Sequence, residues 1–238
     1  MDSRYYKSFG RDGHWARPCQ WICAFCLLSS MLFSCTAGGY DSGDGPYSYY
    51  SADLAMVHTM DRQIADYMLT DEKDSVHFSP LARLDYAERA DSFYRSLVYY
   101  NKVSSKASSA FAIQQVPVLF PSVENDSVGT DPLSFEAGWI SSDNRWLNLR
   151  LSMKTGSSST AEHIRQLVAV SLDSTYIHEN GTKEIWLTLR HRQNEVPEYY
   201  SASVYVSIPL FGFPKGSLIN LKVQTYDGIV SRRFLMKP

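Results

Sequence analysis

Apolar and polar side chains alternate with a period of two through most of this 238-residue chain, a rhythm that admits β-strands and little else. It is plainest in the second half. Leu147, Leu149, Leu151 and Met153 share one face of a strand, with Asn148, Arg150 and Ser152 on the other. Ile185, Leu187, Leu189 and His191 alternate with Trp186, Thr188 and Arg190. Val204, Val206 and Ile208 alternate with Tyr205 and Ser207, and Ile219, Leu221 and Val223 with Asn220, Lys222 and Gln224. Asp227-Gly228 has the composition of a type I′ hairpin turn and leads into a last strand through Val230, Arg232, Phe234 and Met236. Phe135–Ile140 and His163–Val170 bring the count to seven strands. That is the number in an immunoglobulin-like β-sandwich, here without the cysteine pair of an antibody domain.

The first half carries five further runs: Leu54–Thr59, Ile64–Thr70, Val76–Phe78, Phe93–Tyr100 and Phe111–Val118. Leu81, Leu84 and Ala87-Glu88 fall at helical spacing, which predicts a helix over Leu81–Asp91. Five strands and a small helix suit an OB-like barrel, although the periodicity by itself allows several small β folds. Pro121 to Pro132 is rich in Asn, Asp and Ser and marks a boundary. The expected organisation is therefore all-β, with an OB-like domain over 49–122, a linker over 123–132 and a β-sandwich over 133–238.

The amino terminus sets the address. Arg4, Lys7, Arg11 and Arg17 precede an uncharged apolar run from Trp21 to Phe33. That run is shorter than the ~20 residues a membrane-crossing helix needs, so a cleaved signal peptide over 1–34 is the expectation. Leu32-Phe33-Ser34-Cys35 resembles a lipobox, with Phe33 bulkier than most. Ser34 supplies the small residue before the cut, and Cys35 the thiol that takes the lipid. The four cysteines are Cys19, Cys23, Cys26 and Cys35, so cleavage leaves one thiol and acylation consumes it. No ligand set completes a zinc site around the other three. Residues 35–48 form a glycine-rich tether that would span roughly 50 Å if fully extended.

Charge narrows the partners. Residues 36–130 carry 7 Lys+Arg against 13 Asp+Glu, and residues 131–238 carry 12 against 10. A net −4 for the mature chain argues against nucleic acid, which demands a basic surface.

Asp131-Pro132, Gly138-Trp139-Ile140 and Trp146-Leu147-Asn148 resemble the opening of the second domain of NigD-like lipoproteins of the Bacteroidetes. The resemblance continues through Glu162-His163-Ile164, Leu167-Val168, Leu187-Thr188-Leu189-Arg190-His191, Pro197 with Tyr199, and Val204-Tyr205-Val206-Ser207. Trp146 stands where tyrosine is usual, Arg192 where asparagine is common, and Pro209 where an acidic residue is found. The resemblance covers residues 35–238, more strongly in the second domain. It implies a lipoprotein of the outer membrane with an OB-like domain and a β-sandwich, and brings no catalytic residue.

No G-x-S-x-G, H-E-x-x-H or phosphate-cradling glycine loop is present, so no enzyme, cofactor or metal is expected. The expected role is a binding or structural module for another envelope protein. The alternative is a surface lipoprotein that captures carbohydrate. Tyr94, Tyr99 and Tyr100 are candidates for stacking on a glycan, with burial in the core as the competing reading. His191 is a candidate ligand contact near Trp139 and Trp186, or a hydrogen-bonded core histidine; His163 reads as structural. Asp74-Ser75-Val76, Asp126-Ser127-Val128 and Asp173-Ser174-Thr175 resemble the O-glycosylation sequon of exported Bacteroidetes proteins, making Ser127, Ser75 and Ser174 candidate acceptors.

Overall fold

Five strands curl into a small, partly open barrel at the start of the structure, a computed structural model that describes residues 50–102, 108–157, 165–179 and 181–238. The signal peptide, Cys35, the tether, Glu162 and His163 lie outside these residues. The described residues all belong to one compact unit, Pro46–Pro238. The barrel strands are β1 (Tyr50–Asp61), β2 (Ile64–Thr70), β3 (Ser75–Arg83), β4 (Ser92–Asn101) and β5 (Ser109–Gln115), in the order β3-β2-β1-β4-β5. A parallel bridge between Phe78 and Ser108 draws the two outer strands together, the closure of an OB-type barrel. Ser79 N–H donates to the Ser108 carbonyl and Ser108 N–H to the His77 carbonyl, each at 3.0 Å. Alternation puts Val57, Met68, Val76, Phe78, Val98 and Tyr100 inside.

The helix expected over Leu81–Asp91 is absent. β3 continues to Arg83, and turns and irregular chain follow. Leu84 and Ala87 are buried, but as a plug on the barrel core: Leu84 N–H bonds the Gln63 carbonyl and Tyr94 Oη accepts from Glu88 and Arg89 N–H. Three-residue apolar spacing suits such a turn as well as a helix, and tertiary partners decided between them.

The second layer is a sandwich of two sheets. One holds β6 (Ser134–Ile140), β7 (Trp146–Thr155) and β10 (Tyr200–Pro209), ordered β10-β7-β6. The other holds β8 (Leu167–Ile177), β9 (Lys183–Arg192), β11 (Leu218–Thr225) and β12 (Gly228–Leu235), ordered β12-β11-β9-β8. The strand expected over His163–Val170 thus lies later, at Leu167–Ile177. β9 and β11 run parallel, because the chain crosses to the other sheet as β10 between them. The hairpin near Asp227 is present, with Tyr226-Asp227 as its loop and Gly228 at φ 111° opening β12 opposite Thr225. Leu147, Leu149, Leu151, Ile185, Leu187, Leu189, Val206, Ile208, Ile219, Leu221 and Val223 interlock between the sheets.

The stretch expected as a linker packs on the sandwich. A 3₁₀ helix over Val123–Val128 is capped by Ser122, whose Oγ accepts from Glu124 N–H. Ser122 N–H bonds the Val170 carbonyl, and Asp131 N–H the His191 carbonyl. The chain leaves the barrel earlier, at Val116: Val116 N–H still donates to the Arg95 carbonyl, while Val118 already bridges Ser207 of β10.

Candidate functional site

Barrel and sandwich meet around one buried guanidinium. Arg95 is the single charge on β4, a strand whose other residues are mostly aromatic or aliphatic, and its side chain is 1% exposed. Nη1 and Nη2 donate to both oxygens of Asp71, each at 2.7 Å. Nη2 also donates to Asn148 Oδ1 at 2.9 Å, and Nε to Ser207 Oγ at 3.0 Å. Asn148 Nδ2 donates to Asp71 at 2.7 Å, and Ser207 Oγ to Asn148 Oδ1 at 2.8 Å. Trp146 covers the guanidinium, its ring centroid 4.7 Å from Cζ. Asp71 and Arg95 belong to the barrel, and Asn148, Ser207 and Trp146 to the sandwich. Each side-chain nitrogen and oxygen of Arg95, Asp71, Asn148 and Ser207 has a partner, the condition under which a buried polar network specifies one arrangement.

A groove opens beside the clasp, between β4–β5 of the barrel and the outer face of β10, with a cavity of about 560 Å³. Tyr99, Gln114 and Gln115 form its barrel wall; Arg150, Ser203 and Tyr205 form its sandwich wall. A smaller cavity of about 290 Å³ continues it past Asp53 and Trp139. Trp139, 38% exposed, stands edge-on to Tyr205 at 6.4 Å. Arg150 lies over the Tyr205 ring and pairs with Glu136 at 2.6 Å, so its charge is already matched. Leu54, Leu97 and Val116 supply an apolar floor. Rings, amides and a neutralised ion pair on a packed floor are the lining of a binding groove, and its size is in the range of ligand sites.

The residues singled out from sequence fall apart into different roles. Tyr99 lies in the groove. Tyr100 is fully buried in the barrel and its hydroxyl donates to Asp53 Oδ2 at 2.8 Å. Burial, then the Asp53 carboxylate, push that phenol well above the usual tyrosine range. Tyr94 spends its hydroxyl on the turn that follows β3. His191 is 1% exposed; Nδ1 meets the Asp131 carbonyl at 3.2 Å and Nε2 the Gln166 amide at 2.9 Å. The tryptophans expected near it are elsewhere, Trp186 on the other face of β9 and Trp139 against Tyr205. Ser75, Ser127 and Ser174 are all exposed. Among the described residues no group of three or more His, Cys, Asp or Glu could hold a metal.

The outer barrel face carries a row of rings across four strands. His58 stacks on Tyr67 at 4.6 Å and tilts against Phe93 at 5.0 Å, and Tyr67 meets His77 at 5.5 Å. His58 bridges Asp66 at 2.7 Å and Asp91 at 3.2 Å. The Asp66 hydrogen bond raises the imidazole above its ordinary value against the opposing pull of desolvation, with Asp91 adding to the rise. A raised folded value means stability present below the unfolded value and lost as pH climbs through the folded one. We expect His58→Gln to cost more stability at pH 5 than at pH 9 in paired urea melts; an equal cost at both would show that the imidazolium is not what the aspartates hold.

The family model for the NigD-like C-terminal beta sandwich domain matches residues 115–235. The chain belongs to the NigD-like family. The match begins at the last residue of β5, where the chain passes from barrel to sandwich. A NigD-like immunity protein from Bacteroides caccae superposes with a TM-score of 0.59 at 17% identity, covering 76% of this chain and 91% of that one. A candidate lipoprotein from Bacteroides fragilis gives 0.55 at 12% identity, covering 79% and 97%. A protein of unknown function from Bacteroides vulgatus gives 0.57 at 16% identity, covering 79% and 90%. At these identities the likeness is one of fold, and it spans barrel and sandwich together. No curated protein matches the sequence. The matched family and these structures name no enzyme. No helix among the described residues is long and apolar enough to cross a membrane.

Proposed function

We propose that this NigD-like chain is a non-enzymatic lipoprotein of the outer membrane, tethered by acylated Cys35, whose junction groove binds another envelope protein. The observation that carries this reading is the clasp beside the groove: a buried, fully partnered Arg95–Asp71–Asn148–Ser207 network holds both groove walls in fixed relation. Preorganised walls lose little entropy when a partner docks. The lipobox-like Leu32–Cys35 and the likeness to a candidate lipoprotein support the address. Two or more acyl chains anchor firmly, so Cys35→Ser is expected to move the protein from the membrane to the soluble fraction, read by fractionation and immunoblot.

Photo-crosslinking tests the binding reading. A photoreactive residue replacing Trp139 in the native host is expected to give a discrete adduct with one envelope protein, lost when Tyr205 is changed to alanine. Adducts that form equally from exposed Leu235 on β12 would count against the groove. The carbohydrate reading keeps one specific support, the Trp139 and Tyr205 rings flanked by Gln114, Gln115 and Arg150. An array of neutral oligosaccharides separates the two: signal lost in Trp139→Ala favours sugar, and a silent array with a protein adduct favours the first reading.

A further inference from the structure

Sheet edges are normally blunted by charge, irregularity or proline, because their unpaired backbone groups recruit other chains. Five of the six edges here follow that rule. β6 has a bulge at Phe135/Ala137, and β8 one at Leu172/Ser174 beside Asp173. β12 carries Arg232 and Arg233. β3 carries Pro80 and Arg83 and pairs irregularly with β2, and β5 is irregular against β4. β10 is the exception over nearly its whole length: YSASVYVSI carries neither charge nor proline, Pro209 only ends the strand, and the register with β7 is unbroken from Tyr200 to Pro209.

Among the described residues its outer edge is engaged at one point. Ser207 N–H donates to the Pro117 carbonyl at 3.0 Å, and the Ser207 carbonyl accepts from Leu119 N–H at 2.9 Å. Strand alternation turns the N–H and C=O groups of Ser201, Ser203 and Tyr205 the same way. Among the described residues nothing pairs with them. At Val116 the preceding chain swings off to β4, which leaves this part of the edge facing the groove. Side chains of an added strand would meet a cavity on each sheet face. Ser203 and Tyr205 border the groove of about 560 Å³. On the other face Met153, Val196 and Ala202 line an apolar cavity of about 310 Å³, with Arg165 at its rim, and Val204 borders both.

We infer that β10 is a strand-addition site that takes an extended, uncharged segment of the partner protein, with apolar side chains at every second position. The inference rests on the binding reading above and names how that groove holds its partner. Main-chain hydrogen bonds along Ser201–Tyr205 supply the grip, and the paired cavities read alternate side chains. Five residues in this conformation cover about 17 Å. The uncharged occupant follows from Arg150, whose charge Glu136 already matches, and from the Met153, Val196 and Ala202 lining of the second cavity, with Arg165 only at its rim. A second copy of this chain does not suit the place. The groove already has a far wall built from Tyr99, Gln114 and Gln115, and an identical edge would bring a second such wall with it.

The test is a display library of random twelve-residue peptides panned on the full mature chain. Enriched peptides are expected to share apolar residues at alternate positions and to bind Ser203→Pro at least tenfold more weakly, because proline removes an outward N–H and leaves the β7 ladder intact. N-methylating the peptide is the second measurement, made on the unaltered protein. Methyl groups on amides of one parity should abolish binding, and those on the other parity should be tolerated. Failure to enrich any peptide overturns the inference. So does equal binding by Ser203→Pro together with tolerance of methylation at both parities; enriched peptides with that behaviour would leave the binding reading standing and remove strand addition alone.

Discussion

Arg95→Ala is expected to destabilise the protein by about 3–5 kcal/mol, the cost of removing one partner from a buried ion pair. The cost comes less from the lost attraction than from what stays behind. Asp71, 9% exposed, would be left with Asn148 Nδ2 as its remaining side-chain donor. Trp146 would lose the guanidinium it covers, and Ser207 the Nε–H. An intact buried pair is a poor stabiliser relative to apolar residues of similar volume, since desolvating two charges offsets most of their attraction. The double change Arg95→Met with Asp71→Leu should therefore regain most of the loss. Urea midpoints of the three proteins check both statements. A single-variant cost below about 1 kcal/mol would mean that water reaches Asp71 and that the clasp is weaker than its geometry.

Leu187→Ala should cost about 2–5 kcal/mol, for a different reason. Leu187 is fully buried on β9, among leucines, isoleucines and valines from both sheets of the sandwich. Truncation removes three carbons' worth of transfer free energy and leaves a cavity that two hydrogen-bonded sheets cannot collapse to fill. The same change at Leu235 on edge strand β12, 67% exposed, should stay within about 0.5 kcal/mol. Because Leu187 touches neither clasp nor groove, its loss should lower the unfolding midpoint and leave partner binding unchanged in the folded protein. Arg95→Ala should impair both. That contrast separates stability of the sandwich from rigidity of the junction.

Strand existence was legible in the sequence because alternation is written one residue at a time, and every half-buried strand of the sandwich shows it. The seven runs of the second half correspond to β6 to β12, with β8 displaced because its buried part, Val170 and Ser171, is short and its outer half is exposed on both faces. The helix over Leu81–Asp91 was a misreading of a plug, since Leu84 and Ala87 are buried by partners distant in sequence. The groove was legible in part. Tyr99 was visible as an aromatic on a strand, but neither its exposure nor that of Tyr100 could be read, because register decides which ring faces inward. Arg95 was the missed signal: a lone charge amid Phe93, Tyr94, Leu97 and Val98 can sit there only if something neutralises it, and Asp71 and Asn148 come from elsewhere in the chain. The β10 edge was invisible until topology showed which strands lack a second neighbour.

Amide hydrogen exchange on the protein in its native envelope, set against the same protein stripped of partners in detergent, shows whether a partner occupies the groove. Exchange in the envelope should slow at residues 201–205, 97–99 and 114–117, the two walls of the groove, with β12 unchanged. Identical exchange in both preparations, or protection confined to β12 or the outer barrel face around His58, would contradict that occupancy.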